Sequence, residues 1–319
     1  MYALRGLAIC FSTFFLVYVT GSAVVIFAWA SLIPDEKKWS ARTCSDILFA
    51  LRLSPLVLAT LVTLLFAAPS FVVFEPRAIN EPIGPWLPIL GIGGLAVMAA
   101  GVWSAVSALR RISRAASRWA SGASMLSHPA GFNRQIALLR TTAVAPPVSA
   151  AGIFRGRVWL SSKAEQVLSE SELRSALRHE LVHVRRRDNL RKLFLRLVAF
   201  PGMAKLESAW LEATEMAADD GAVSSVLEAL DLAAAVIKLS RFTPLASPGE
   251  LATSLVSSPA EFLNARVSRL LHWSEPREVP TRANWRKTAL WAAASFIAFA
   301  LTYSHLLLRV HAATELLVR

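Results

Sequence analysis

Four long apolar runs without a charged residue stand out along the chain, at about Leu7 to Ile33, Leu53 to Phe74, Ile83 to Leu109 and Thr288 to Leu308. Each reaches the roughly 20 residues that a helix needs to cross a hydrocarbon core about 30 Å thick. Pro55, Pro69, Pro85 and Pro88 fall near the ends of their runs, where a helix tolerates them best. The first run, preceded by Arg5, is too long for a cleaved signal peptide, so it is expected to span.

Between the third and fourth runs the texture becomes mixed. Residues 110–127 are rich in Arg, Ser and Ala and predict a helical extension from the membrane. His128-Pro129-Ala130-Gly131 is a turn signal. Val158-Trp159-Leu160 predicts a strand, with Val158 and Leu160 on one face. That strand either lies buried or pairs with an extended substrate backbone. Ser169-Glu170-Ser171-Glu172 fits a capping box and opens a stretch free of Gly and Pro, predicting one helix from Glu170 to Ala199. Pro201-Gly202 ends it, and a second helix is expected over roughly Met203 to Leu232. Phe242 to Pro259 reads as a loop, and Glu261 to Leu271 as a short helix with Phe262, Val267 and Leu270 on its apolar side.

The expected fold is a mainly α membrane protein: four transmembrane helices, with a domain containing a small β element inserted between the third and fourth. Residues 1–109 form the three-helix transmembrane region, 110–287 the inserted domain, and 288–319 the fourth helix and a short tail. Composition agrees, since 55% of the 319 residues are hydrophobic against the roughly 45–50% usual in soluble domains. Of 34 Lys and Arg, 26 lie in residues 110–287, with 16 of the 22 acids, so +10 of the net +12 belongs to that domain. No aromatic-interleaved basic stripe points to nucleic acid. A basic domain lying against anionic membrane lipid accounts for the excess. Cys10 and Cys44 are predicted on opposite sides of the membrane, which excludes a disulfide framework.

Lys and Arg favour the cytoplasmic flanks of spans. Arg110, Arg111, Arg114 and Arg118 follow the third run, and Arg282, Arg286 and Lys287 precede the fourth. The inserted domain is therefore expected on the cytoplasmic side, with both termini outside. The expected location is the cell's inner membrane, spanned several times.

Within the domain, His179-Glu180-Leu181-Val182-His183 carries the candidate chemistry. Residues four apart share a helical face, so both imidazoles can meet one ion, here a single catalytic Zn2+. Glu180 lies about 100° round the axis, near that ion but not on it, where it can take a proton from the attacking water. Such a motif also arises by chance on a charged surface helix, and Arg178, Arg185, Arg186, Arg187 and Asp188 would suit one. A third ligand has to come from elsewhere. His183 lies 16 residues before Ala199, about 24 Å along a helix, and Glu215 lies 13 residues after Gly202, about 20 Å back along a returning one. In an antiparallel hairpin the two come level. Glu207 falls too near the turn, and Glu212 is one turn off. Asp219 shares the Glu215 face and can accept the free N–H of a ligating histidine, with Asp220 its rival about 100° away. His272, Arg266 and Arg269 are candidates for stabilising an oxyanion, each weighed below a structural role.

The pair His-Glu-x-x-His and Glu-x-x-x-Asp looks like the gluzincin pattern. The strings His179 to Leu190 and Glu212 to Asp220, with Ala145-Pro146-Pro147-Val148, Gly152 and Arg157 to Leu160 before them, resemble the M56 peptidases, the antibiotic-sensing family of the BlaR1/MecR1 type. The resemblance covers about residues 85–275. It implies His179, His183 and Glu215 as zinc ligands, Glu180 as general base, and a cytosolic active site. The sensor members carry an extracellular penicillin-binding domain after the last span, whereas only Val310 to Arg319 follow it here, so a chain without that sensor is expected.

The function expected is that of a membrane-bound zinc endopeptidase, acting in regulated signalling proteolysis on a protein substrate such as a transcriptional repressor. The other partner expected is membrane lipid, with no direct nucleic acid. A homodimer is compatible with the sequence and not required by it. The rival readings are a membrane-protein quality-control protease of the related gluzincin type, and a signalling scaffold that keeps zinc for structure.

Overall fold

The structure, a computed structural model, describes residues 2–32, 39–76, 84–126, 136–143, 145–154, 156–198, 200–241, 253–254, 260–274 and 302–315. The chain divides into two compact units. One comprises Met1–Ala28, Leu53–Ala100 and Arg277–Arg319, the other Trp29–Arg52 and Gly101–Pro276.

The apolar runs become helices α1 (Tyr2–Leu32), α2 (Ala41–Val62), α3 (Ala68–Phe74) and α4 (Trp86–Ala120). Three stretches, Tyr2–Trp29, Ala41–Phe74 and Trp86–Ala120, are long and apolar enough to cross a membrane, which supports a membrane protein. The second begins at Ala41, twelve residues ahead of the apolar run, because Ala41 to Arg52 form polar and apolar contacts within the second unit. The third continues to Ala120, past the expected end of the membrane region. Most of the expected fourth span, like the His128 turn and most of the 242–259 loop, lies outside the described residues; a helix, α11, covers 302–315.

Pro55 sits inside α2 rather than at its end. Pro69 follows a π-helical turn at Thr63–Ala67. Lacking an N–H, Pro69 cannot bond the Leu65 carbonyl as an α-helix would require. The Tyr303 hydroxyl donates to that carbonyl instead, at 2.6 Å. Elsewhere in this unit α1 and α4 meet backbone to backbone: a Cβ on Gly94 would collide with the Phe11 carbonyl, as expected where small residues let membrane helices pack closely. Ser12 donates to the Leu87 carbonyl at 2.9 Å.

The second unit is built on a five-stranded sheet of order β1-β2-β4-β3-β5. Its strands are β1 (Ser124–Met125), β2 (Leu138–Thr141), β3 (Val148–Ala151), β4 (Arg157–Ser161) and β5 (Thr253–Ser254). β4 is central, parallel to β2 and antiparallel to β3. Both of its edges are filled, so it cannot accept a substrate strand, and the buried-strand expectation is the one the structure realises. The period of two does its work here. Val158 and Leu160 join a core with Ala176 and Leu177, while Trp159 faces the opposite way, against Ala108, Ile112, Ala115 and Trp119 of α4. The Trp119 and Trp159 rings meet edge to face at 5.9 Å.

After α5 (Ser162–Val167) come α6 (Glu170–Arg186), α7 (Asp188–Leu197), α8 (Ala204–Ala222), α9 (Val226–Ser240) and α10 (Ala260–Leu271). The capping box of α6 forms in full: Ser169 N–H donates to Glu172 at 2.8 Å, and Glu172 N–H to Ser169 Oγ at 3.3 Å. Both long helices expected from sequence are divided in two. The first breaks at Arg187, which is left-handed (φ 57°) and turns its N–H back to the His183 and Val184 carbonyls. The second ends at Ala222, and Ser225 caps α9 by accepting from the Glu228 N–H.

α6 approaches its neighbours at two glycines. A Cβ on Gly156 would lie 2.5 Å from Val184 Cγ1, and one on Gly221 would lie 3.1 Å from Val182. Valine is stiff at χ1 and cannot swing aside. Gly156→Ala is therefore expected to cost about 1–3 kcal/mol by overpacking, read as a lowered unfolding midpoint of the full chain in detergent. An unchanged midpoint would show that the strand–helix approach is looser than this.

Candidate metal centre

Three helices bring the site together. α6 supplies His179, Glu180 and His183, all essentially inaccessible to solvent. α8 supplies the buried Glu215 and Asp219. α10 supplies Arg266, which is fully buried.

The His179 and His183 rings face each other across one turn, Nε2 to Nε2 at 3.1 Å. Glu215 completes a triangle, with Oε2 3.5 Å from His179 Nε2 and Oε1 3.6 Å from His183 Nε2. The three offer one ligand atom each within 4.8 Å of one another, and could hold a metal ion. The outer nitrogens are held by carboxylates: His179 Nδ1 lies 3.0 Å from Asp219 Oδ1, and His183 Nδ1 lies 2.8 Å from Asp188 Oδ2.

That arrangement fits zinc on chemical grounds. With each Nδ1–H donated outward, both Nε2 atoms present lone pairs to each other, a repulsive contact unless a cation or proton lies between them. Tetrahedral zinc with nitrogens at 2.0–2.1 Å sets such a pair about 3.3 Å apart. The carboxylate–histidine arms match the usual support of a metal-bound imidazole.

Electrostatics point the same way. Burial works against a charged His179 ring, but hydrogen bonds to Asp219 and Glu215 outweigh it and raise the ring from 6.5 to about 9. Burial also opposes ionised Glu215, yet the nearby His183, Arg266 and His179 hold it at about 2. For Asp219 burial is again overcome, by Arg266 first, and its carboxyl lies well below the ordinary range. Arg266 forks onto Asp219 through Nε at 2.8 Å and Nη2 at 2.6 Å, and its Nη1 reaches Glu215 Oε2 at 3.1 Å.

The residues singled out from sequence separate cleanly by position. His179, His183, Glu215 and Asp219 share the cluster, and Glu180 is buried next to His179 on α6. Glu212 is exposed, Glu207 pairs with Arg196 at 3.5 Å, and Asp220 pairs with Arg269 at 2.8 Å. Of the three oxyanion candidates only Arg266 reaches the cluster, and its fork is committed to Asp219 and Glu215. Arg269 lies outward on α10, and the exposed His272 bonds the Ser268 carbonyl at 2.8 Å.

Two participants escaped sequence reasoning. Asp188 follows His183 by five residues, which in an unbroken helix would carry it about 140° off the histidine's face. The left-handed Arg187 removes that obstacle. Lys192, one turn further along α7, is half-buried; burial lowers its pKa, opposed by Glu215, Asp188 and Glu180. Nothing in the spacing marked it. The first turns of α2 also brace this region. Ser45 Oγ lies 2.8 Å from Thr214 Oγ1 and accepts from Arg186 at 3.0 Å. Arg191 donates to Asp46 at 2.6 Å.

Residues 144–255 match the model of Peptidase family M48. The matched stretch contains His179, Glu180, His183, Glu215 and Asp219 and stops short of Arg266. It supports a zinc metallopeptidase, a hydrolase, and does not reach the M56 assignment that the residues resemble. No curated protein matches the chain.

Two outcomes follow from this geometry. Asp188→Asn should weaken zinc binding about 10–100-fold, measured by competition with a chromogenic chelator; unchanged affinity would make Asp188 a bystander. Below about pH 9 the metal must also displace the His179 proton, whereas Glu215 is already ionised near neutrality. Apparent zinc affinity should thus rise about tenfold per pH unit for this one proton between pH 7 and 8. A plateau beginning near pH 6.5 would contradict the raised histidine.

Proposed function

We propose that the chain is a membrane-embedded zinc endopeptidase of the M56 type that cuts a protein substrate on the cytoplasmic side, as a step in regulated signalling such as removal of a transcriptional repressor. The observation that carries this reading is the buried group of His179, His183 and Glu215 that could hold a metal, on a helix whose next residue after His179 is the buried Glu180. A site kept only for structure would be closed by a fourth protein ligand. Among the described residues the group at this site comprises three.

When bound, zinc supplies Lewis-acid polarisation of the scissile carbonyl and acidifies water. His179, His183 and Glu215 hold it. Asp219 and Asp188 fix the tautomer and orientation of the two rings. Arg266 restrains Asp219 and Glu215 and balances their charge. Glu180 accepts the proton of the attacking water and delivers it to the leaving amine. The basic flanks at Arg110 to Arg118 and Arg282 to Lys287 support a cytoplasmic domain in the inner membrane.

The match to family M48 favours a second reading, a membrane-protein quality-control protease of the related gluzincin type. Substrate identity separates the two. Purified Glu180→Gln should retain its zinc and lose cleavage of co-expressed candidate substrates by at least about 100-fold, the scale of a general base. Cleavage that survives at the wild-type rate would remove Glu180 from the mechanism. A wild-type chain without zinc would remove the enzyme.

A further inference from the structure

We infer a second divalent-cation site, formed by Glu75, His311 and Glu315 in the first unit. One ligand atom from each lies within 4.8 Å of the other two. His311 and Glu315 are four residues apart on α11 and therefore share a face. Glu75 follows the end of α3, where its N–H donates to the Phe71 carbonyl at 3.0 Å. The Phe74 ring lies 5.4 Å from the His311 ring and limits its rotation.

The construction repeats that of the first centre. A pair of ligands one turn apart on one helix meets a carboxylate from another segment, and a buried arginine braces that carboxylate. Arg5 Nε stands 3.2 Å from Glu75 Oε1, as Arg266 Nη1 stands 3.1 Å from Glu215 Oε2. Both Arg5 and Glu75 are more than nine-tenths buried.

Charge supplies the second argument. Arg5 offsets the charge of one of the two carboxylates, Glu75. The carboxyl of Glu315 meets that of the buried Glu75, and their repulsion when both are ionised is relieved by a shared proton or by a cation between them. Mixed nitrogen and oxygen ligands favour a later first-row transition ion such as zinc, nickel or cobalt over calcium or magnesium. The cation would join α11 to the end of α3, beside the Arg5 turn of α1.

Cobalt(II) tests this on the full-length chain in detergent, by counting equivalents that survive desalting. Wild type should retain two. His311→Ala and Glu315→Gln, both at half-buried positions, should each retain one, while His179→Ala/His183→Ala should also retain one. Size-exclusion elution matching wild type verifies that each variant is folded. If His311→Ala and Glu315→Gln bind as much cobalt as wild type, the second site does not exist, whatever the first centre does. If wild type binds a single equivalent that only the His311 and Glu315 variants lose, the second site stands and the proposed peptidase centre falls.

Discussion

Burying four carboxylates around the pair of His179 and His183 is the constraint on which the second unit turns. Glu180, Glu215, Asp219 and Asp188 are all withdrawn from water, and an uncompensated charge in such a place costs several kcal/mol. Arg266 compensates two of them through one rigid fork, a geometry that lysine could not reproduce. In the ion-free protein a proton on His179 provides a further positive charge. A divalent cation on the facing nitrogens does the same job with fewer compromises, since it also relieves the lone-pair contact between the rings. The site is thus arranged so that its own electrostatics call for a metal.

The rest of the unit keeps that arrangement dry and stiff. The sheet lies between the extension of α4 on one side and α6 on the other, so Trp159 and its neighbours Val158 and Leu160 anchor opposite layers with consecutive residues. Gly156 and Gly221 set how closely α6 can lie against the β3–β4 connection and α8. The break at Arg187 has a similar role. It ends the helix that carries both histidines one turn after the second, and so returns Asp188 to the ring it supports. The polar turns at the start of the long helix α2 add a brace, through Ser45 on Thr214 beside Glu215 and through Asp46 on Arg191. Those contacts are buried or half-buried, which makes them worth more than exposed pairs of the same length.

Much of this was legible in the residue order because the relevant physics is local. A charge-free run of 20 residues, a capping box at Ser169, the alternation in β4 and the four-residue spacing of His179 and His183 each depend on neighbours within a turn or two. Helix lengths alone bring Glu215 level with His183, and the carboxylate arrives there even though the helix from His183 is not straight to Ala199, α7 departing at Asp188. The Ser225-x-x-Glu228 pattern is the local signal in the residue order for the division between α8 and α9. What sequence could not supply was anything created by a change of direction or by partners far along the chain. Asp188 reaches His183 only because Arg187 is left-handed, and Arg266 reaches Asp219 only because α10 packs on α9 and beside α8. The sequence alone therefore determined the long apolar helices and the shared face of His179 and His183 with an acid next to them, since helical periodicity places those without tertiary help. Tertiary structure alone decided which buried charges answer one another, because that balance is struck either across a change of chain direction, as at Asp188, or between segments as far apart as Asp219 and Arg266, 47 residues along the chain.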